Sequence, residues 1–366
     1  MPLATSPSPT SSPPLRAAAY SIGVDPPARS TSGSPFSRGV EPLAPPMPGQ
    51  LASMPIMVKV LFIAAWLRSG TTVTGNVLGS APSAEHIGEL NYLWMKKHPA
   101  GFECGCGSVV WECPLWKPVL DRLHLSRDRR YEIRQLRRDS WSNGDVLARY
   151  RDWRRGAIDP AYPRVLAEIY RGVADQTGAA LVIDSTKHVS DALAAALAPD
   201  VDLHLLHVVR DPRAAAYSSM QQKAHGSDAD GVLLKKRSPI RNTFHWDVRN
   251  TLIERCDKPA VAPGKYLRVR YEDLMRSPKE SFSAIAAWAG LDPAELPFTG
   301  DSTIRLAKSH TIMGNPNRHD VGAEVTLRTD SRWINSMRDR DAWTATLMAS
   351  PLMARYGYRY HRSAAA

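Results

Sequence analysis

A chain of 366 residues with 43% hydrophobic residues and a formal net charge of +11 has the apolar content of a folded domain and a surface that favours anionic partners: anionic cofactors, sulfated glycans, nucleic acid or membrane headgroups. It carries no motif that reads RNA or DNA and no basic–aromatic repeat, which argues against nucleic acid. No apolar run approaches the ~20 residues of a membrane-spanning helix; the longest, around 192–209, is interrupted by Pro199, Asp200 and Asp202.

Residues 1–55 are dominated by Pro, Ser, Ala and Gly without periodicity. Such sequence buries too little apolar surface to offset chain entropy, so a disordered tail is expected. The tail lacks the continuous apolar stretch of a secretory signal peptide, and Met54 or Met57, just ahead of the first apolar run, is a candidate alternative start. The remainder, residues 56–362, is long enough for one large α/β domain with insertions. Lys59 to Ala65 reads as a central parallel strand, the turn Arg68-Ser69-Gly70-Thr71-Thr72 follows, and a helix is predicted over 71–80.

Further along, strands are predicted at 180–184, 203–209 and 265–270, and helices at 161–177, 188–198, 212–224, 240–256, 278–290 and 340–349. Alternating β and α segments imply a parallel sheet with helices on both faces, and ligands beyond the carboxyl ends of its strands. Residues 104–155 interrupt the alternation. Rich in Arg and Trp with interspersed acids, they read as a helical insertion: either a solvated pair laced by ion pairs or a lid that recognises an acceptor. Cys104, Cys106 and Cys113 fall close together, with His98 and His124 nearby and Cys256 remote. Three thiols could hold zinc, but this spacing is not a standard finger. Reduced thiols in a cytoplasmic protein, with no metal, are the expectation.

Two turns carry the chemistry. Backbone N–H groups converge where a strand runs through a tight turn into a helix, so residues 65–72 form an anion site. Against the triphosphate loop G-x-x-x-x-G-K-[ST], Ala65 takes the first glycine's place, Thr71 takes the lysine's, and Thr72 fills the last position. The lysine that would reach the β- and γ-phosphates is missing, and Arg68 inside the loop supplies the cation. A P-loop-type nucleotide kinase would need that lysine and a magnesium carboxylate; Asp184 could act as the second, but Thr71 cannot act as the first. The other turn ends the strand 203–209: Arg210 sits at its end, Pro212 suits the first helical turn, and Ser218 follows eight residues after Arg210. The planar arginine fork can hold a phosphate with two charge-assisted bonds.

The RSGTT turn resembles the 5′-phosphosulfate loop of the sulfotransferases that use PAPS (3′-phosphoadenosine 5′-phosphosulfate), and Arg210-Asp211-Pro212 with Ser218 resembles their R-[DN]-P…S motif. The resemblance runs from about Val58 to Tyr358 and leans to a bacterial branch through GELNYLW (88–94), CGCG…C (104–113), IDSTKH (183–188), RVRYEDL (268–274), HTIMGNPNR (310–318) and DSRWINSM (330–337). It implies a P-loop-like α/β fold and transfer of a sulfuryl group from PAPS to an acceptor hydroxyl, leaving 3′-phosphoadenosine 5′-phosphate. Carried over by motif, Arg68, Ser69, Gly70, Thr71 and Thr72 hold the 5′ end and Arg210 and Ser218 the 3′-phosphate. Gly314 and Arg318 stand in a late loop that closes over it, without the Arg-Lys-Gly triplet of cytosolic members. Glu89 holds a position similar to the glutamate base of protein-tyrosine sulfotransferases, and His188 is the rival base. Cytosolic members space lysine and histidine by one residue, whereas Lys187 and His188 are adjacent and their side chains must diverge. Lys187 is therefore taken as a second cation, with Asp184 able to orient either neighbour. Asp330 to Trp333 suits a structural role at least as well. No metal is needed to neutralise a triphosphate, so activity is expected to persist in chelator. A non-catalytic nucleotide- or glycan-binding module would carry the same binding residues. Nothing in the sequence selects between a carbohydrate, lipid or natural-product hydroxyl, or fixes an oligomeric state.

Overall fold

Val58–Ala65 forms the central strand β1 because its apolar residues serve both faces at once. Val60, Phe62 and Ala64 enter one core, whereas Leu61, Ile63 and Ala65 enter the other, as the two-residue period of a strand requires. The computed structural model describes residues 57–94, 103–142, 144–221, 237–313 and 322–361. The tail expected at 1–55 and the loop with Gly314 and Arg318 lie outside them.

After β1 come α1 (Thr71–Leu78), β2 (Ala84–Gly88), the insertion helices α2 (Trp116–Arg122), α3 (Arg127–Ser140) and α4 (Val146–Arg154), then α5 (Ala161–Thr177) and β3 (Leu181–Lys187). The chain continues through α6 (Val189–Ala196), β4 (Val201–Val209), α7 (Pro212–Met220), α8 (Pro239–Leu252), β5 (Tyr266–Arg270), α9 (Tyr271–Arg276) and α10 (Pro278–Ala289). The short strands β6 (Thr303–Arg305) and β7 (Glu324–Thr326) pair antiparallel, and α11 (Trp333–Ser336) and α12 (Asp339–Arg355) follow.

The main sheet has five parallel strands in the order β2-β3-β1-β4-β5. Connections from β1 run to one side and those from β4 to the other, so the strand order reverses between β1 and β4, where a ligand crevice forms in open α/β sheets. Helices α5 and α6 share one core with the insertion, and α1, α9 and α10 lie with the other, as the alternation predicts.

Several boundaries differ from the sequence reading. The helix expected at 71–80 stops at Leu78, and the one at 212–224 stops at Met220, just before residues outside the described part. The helix expected from 188 begins at Val189, because β3 runs on to Lys187 and His188 is the extended residue that precedes the helix. The helix expected over 240–256 gives way to a π turn at Ile253–Asp257, and the last runs over Asp339–Arg355 rather than 340–349. Strands β2, β6 and β7 were not expected.

The insertion is in part the ion-paired reading and in part neither. Exposed ion pairs do lace it, among them Lys117–Asp121 and Arg129–Glu132. Yet Trp116 and Trp141 are fully buried, and Arg137 reaches into the domain to bond the buried Asp191 of α6 at 2.8 and 2.5 Å. Tyr162 donates to the same carboxylate at 2.6 Å. The insertion is thus fastened to the core rather than laid over it.

Candidate functional site

The carboxyl ends of the five strands deliver a polar or charged residue each. In sheet order these are Glu89 just after β2, Lys187 closing β3, Arg68 beyond β1, Arg210 after β4 and Tyr271 after β5. The backbone departs from regular strand geometry near these ends. The β1–β3 and β2–β3 registers shift near these ends, and Lys187 and Arg68 hold positive φ angles of 71° and 67°. Such conformations are costly for residues with side chains and cluster at functional sites.

The β1–α1 turn and the β4–α7 turn touch. Arg68 donates through Nε to Ser218 Oγ at 3.0 Å, and Arg210 donates through Nη1 to the Arg68 carbonyl at 2.8 Å. The two basic corners expected at opposite ends of a nucleotide are therefore contiguous before any ligand enters. Burial and the neighbouring Arg210 push the Arg68 guanidinium below its ordinary range. Asp330 offsets part of this from 3.4 Å on Arg210. Among the described residues, the buried Ser69 Oγ and Arg210 Nε have no hydrogen-bond partner. Two crowded cations and two unsatisfied donors describe a site built for an anion. Thr71 and Thr72 are buried beside them, and Gly70 takes φ 86° where a Cβ would come within 2.6 Å of the Tyr271 ring. That ring stacks under Arg210 at 4.5 Å.

The surroundings lock Arg210 in place. The Trp246 indole donates to its carbonyl at 2.9 Å. Asp211 caps α7 by accepting from the Arg213 amide, and its own amide donates to the buried Glu272 at 3.0 Å. Arg213 in turn bonds the carbonyls of Arg359 and Tyr360 and stacks on Trp333. Trp333 has a structural role, as expected, whereas Asp330 faces the cleft.

This cleft, of about 240 Å³, is lined by Arg68, Gly70, Thr72, Arg210, Ser218 and Tyr271. Its far wall is apolar, from Met275 of α9 and Ile304, Leu306, Val325 and Leu327 around the β6–β7 pair, with Arg328 beside them. Sequence reasoning missed that wall and Arg328, since neither lies in a strand–turn–helix pattern. The third phosphate contact was sought instead at Gly314 and Arg318, outside the described residues.

On the other flank, Lys187 Nζ stands 2.5 Å from Glu89 Oε1, with both side chains largely buried. Glu89 lies between β2 and a 3-10 turn at Leu90–Trp94 and is enclosed. The Glu89 amide donates to the Ile312 carbonyl at 2.7 Å, and Gly88 makes that approach possible. A Cβ on Gly88 would fall 2.4 Å from Ile312 O at a φ of 76°. Gly88→Ala is expected to lose about 1–3 kcal/mol of stability, measured by denaturant unfolding.

The charged groups that act on His188 are Asp191, Arg137, Arg249 and Lys187, and burial pushes its imidazole down to about 3. Asp184 orients neither neighbour: it accepts from the Tyr170 hydroxyl at 2.7 Å and the Thr186 amide at 2.7 Å. His86, which sequence reasoning also missed, bridges Asn76 Oδ1 at 3.0 Å and Ser185 Oγ at 2.9 Å. Burial and Lys187 hold it neutral, with a pKa of about 3. Gly75 of α1 permits this, since a Cβ there would meet His86 at 2.3 Å. Around Cys104, Cys106 and Cys113 the structure brings His310 rather than His124; His98 lies outside the described residues.

With this geometry in view, comparison with known proteins identifies the family. The sulfotransferase family model matches residues 61–295, and the chain belongs to that family. Human carbohydrate sulfotransferase 3 is 25% identical over 183 residues, which is 46% of this chain and 36% of that protein. Human carbohydrate sulfotransferase 6 is 29% identical over 103 residues, 25% of this chain and 26% of that protein. The match thus spans about a third or less of these relatives' length. Among solved structures, the sulfotransferase domain of the Synechococcus PCC 7002 olefin synthase is 20% identical with a TM-score of 0.46, covering 82% of this chain and 95% of that one. The sulfotransferase domain from the curacin biosynthetic pathway is 16% identical with a TM-score of 0.44, covering 84% and 99%. Among the described residues, no helix is long and apolar enough to cross a membrane.

Proposed function

We propose that the chain transfers the sulfuryl group of PAPS to a hydroxyl of an acceptor, a carbohydrate, lipid or natural product, by in-line displacement. The observation that carries this reading is the meeting of Arg68 and Arg210, 142 residues apart in sequence, over a cleft with unsatisfied Ser69 and Arg210 donors. Family membership supplies the donor: sulfotransferases in general draw on PAPS. The free thiols of the four cysteines support a reducing compartment such as the cytoplasm.

The order of the strands gives the reaction a direction. The β4–α7 turn, with Arg210 and Ser218, anchors the 3′-phosphate. The β1–α1 turn cradles the 5′-phosphosulfate with the amides and hydroxyls of Ser69, Thr71 and Thr72, and the Gly70 turn lets the backbone come close. The apolar wall at Met275, Ile304 and Leu327 suits the purine. Arg68 and Lys187 then flank the sulfuryl group in transit, neutralising the bridging and equatorial oxygens as charge builds on them. Glu89, 2.5 Å from Lys187 Nζ, takes the acceptor proton. With these assignments, base, cations and donor anchors follow the strand order β2-β3-β1-β4, which supports an in-line transfer.

The decisive experiment incubates the purified chain with acceptor pools, with and without PAPS, and reads the mass gain of one SO3 group. A gain that depends on PAPS supports the reading, and none across carbohydrate, lipid and phenolic pools overturns it. A thermal-shift titration separates it from a kinase: adenosine 3′,5′-bisphosphate should stabilise the protein, and ATP and ADP much less. Arg210→Ala is expected to weaken bisphosphate binding by about 10- to 100-fold, the loss of hydrogen bonds to a charged group, while changing kcat less. Isothermal titration and initial rates measure the two effects.

A further inference from the structure

Three thiols and one imidazole meet between the insertion and the segment that follows β6. One ligand atom from each of Cys104, Cys106, Cys113 and His310 lies within 4.8 Å of all the others. Cys106 Sγ and Cys113 Sγ are 3.7 Å apart. His310 Nδ1 lies 3.1 Å from Cys113 Sγ and 4.0 Å from Cys104 Sγ. A tetrahedral zinc with thiolate bonds of about 2.3 Å and an imidazole bond of about 2.0–2.1 Å has S–S edges of about 3.8 Å and S–N edges of about 3.6 Å. The observed edges straddle those values. We propose that Cys104, Cys106, Cys113 and His310 form a closed, four-coordinate structural zinc site; the proposal does not rest on the assigned reaction.

The backbone around the cluster is arranged to present ligands. Cys104-Gly105-Cys106-Gly107 is a tight turn, with the Gly107 amide donating to the Cys104 carbonyl at 2.9 Å and Gly107 at φ 90°. Gly105 lies so close to Thr311 that a Cβ would come within 2.4 Å of its hydroxyl, so the turn can rest on the His310 segment only with glycine there. The Trp116 indole donates to the His310 carbonyl at 2.6 Å, fixing the histidine's backbone. Four protein ligands leave no position for a substrate, which marks a structural rather than a catalytic site. A Cys106–Cys113 disulfide would account for two of the four groups and leave unexplained why a histidine 197 residues beyond Cys113 completes the set.

The site also has work to do. Ile312, two residues past His310, donates its amide to the Ile87 carbonyl at 2.9 Å and accepts from the Glu89 amide at 2.7 Å. It also bridges Cys104 and Gly88. Zinc would thereby pin the insertion, the end of β2 and the backbone of Glu89 to one another. The expectation of no metal came from the irregular cysteine spacing, which cannot register a ligand so distant in sequence.

The full-length chain, expressed in zinc-replete medium and dialysed against metal-free buffer, should retain one zinc per chain by elemental mass spectrometry. Expression with cobalt in place of zinc should give the visible bands of a tetrahedral site and thiolate-to-metal charge transfer in the near ultraviolet. Cys106→Ser, at the half-exposed corner, should lose the equivalent and lower the melting temperature, and His310→Cys should keep it. The cobalt spectrum reads the wild-type protein, so a variant that fails to fold does not blunt the test. Substoichiometric metal in folded protein, a Cys106–Cys113 disulfide in fresh preparations, or zinc retained in full by Cys106→Ser would each overturn the assignment.

Discussion

Glu89→Gln is expected to bind adenosine 3′,5′-bisphosphate as tightly as the wild type and to lose about 10²–10⁴-fold in kcat, the range that general-base removal costs. The amide is nearly isosteric and can still accept from Lys187, so packing at the end of β2 is conserved. What disappears is the ability to take a proton. Nucleotide affinity should survive because the anion-binding turns leave β1 and β4, whereas Glu89 leaves β2 on the far side of β3. Calorimetric titration and steady-state rates, measured on the same preparations, separate the two quantities. Turnover retained in Glu89→Gln would move the base to His188. That outcome would be surprising on electrostatic grounds, because burial has pushed the His188 imidazole down to about 3. A group so reluctant to bind a proton is a poor acceptor at neutral pH.

The two basic turns were legible because each is written in contiguous residues. A phosphate cradle needs a strand end, a permissive glycine or proline and a helix start, and all three are local. The helix Ala161–Thr177 was likewise readable to its ends, with an apolar face that repeats at helical spacing and Gly178 closing it at φ 71°. Strand β2 was not. Its five residues, AEHIG, carry a glutamate, a histidine and a glycine, and they become a strand only by pairing with β3. The burial of His86 depends on the absence of a Cβ at Gly75, a tertiary fact with no signature along the chain. The same holds for the fourth member of the cysteine cluster and for the apolar wall around the β6–β7 pair. The Lys187–Glu89 pair stood between the two cases: both residues were singled out, but the ion pair follows from strands β2 and β3 lying side by side, which required β2 to be seen.

Arg68→Ala is expected to lower kcat by about 10²–10³-fold, as removal of a preorganised donor at a developing anion does. Two features make Arg68 more than one contact among many. It sits at a positive φ, so the chain holds it in a costly conformation, and it is half-buried beside a second arginine that depresses its pKa. Neither arrangement helps an empty protein; like charges held together in a part-buried cleft raise its free energy, and Asp330 offsets that only in part. Removing Arg68 should therefore cost the ligand-free fold little, because relief of repulsion from Arg210 offsets the lost bond to Ser218. The melting temperature of unliganded Arg68→Ala is expected to equal or exceed that of the wild type, while the shift produced by adenosine 3′,5′-bisphosphate shrinks. Since Arg210 bonds the Arg68 carbonyl, the double variant with Arg210→Ala should be less than additive in binding. Should unliganded Arg68→Ala melt well below the wild type, Arg68 would be a strut between the β1–α1 and β4–α7 turns, and the charge crowding at the cleft would need another purpose.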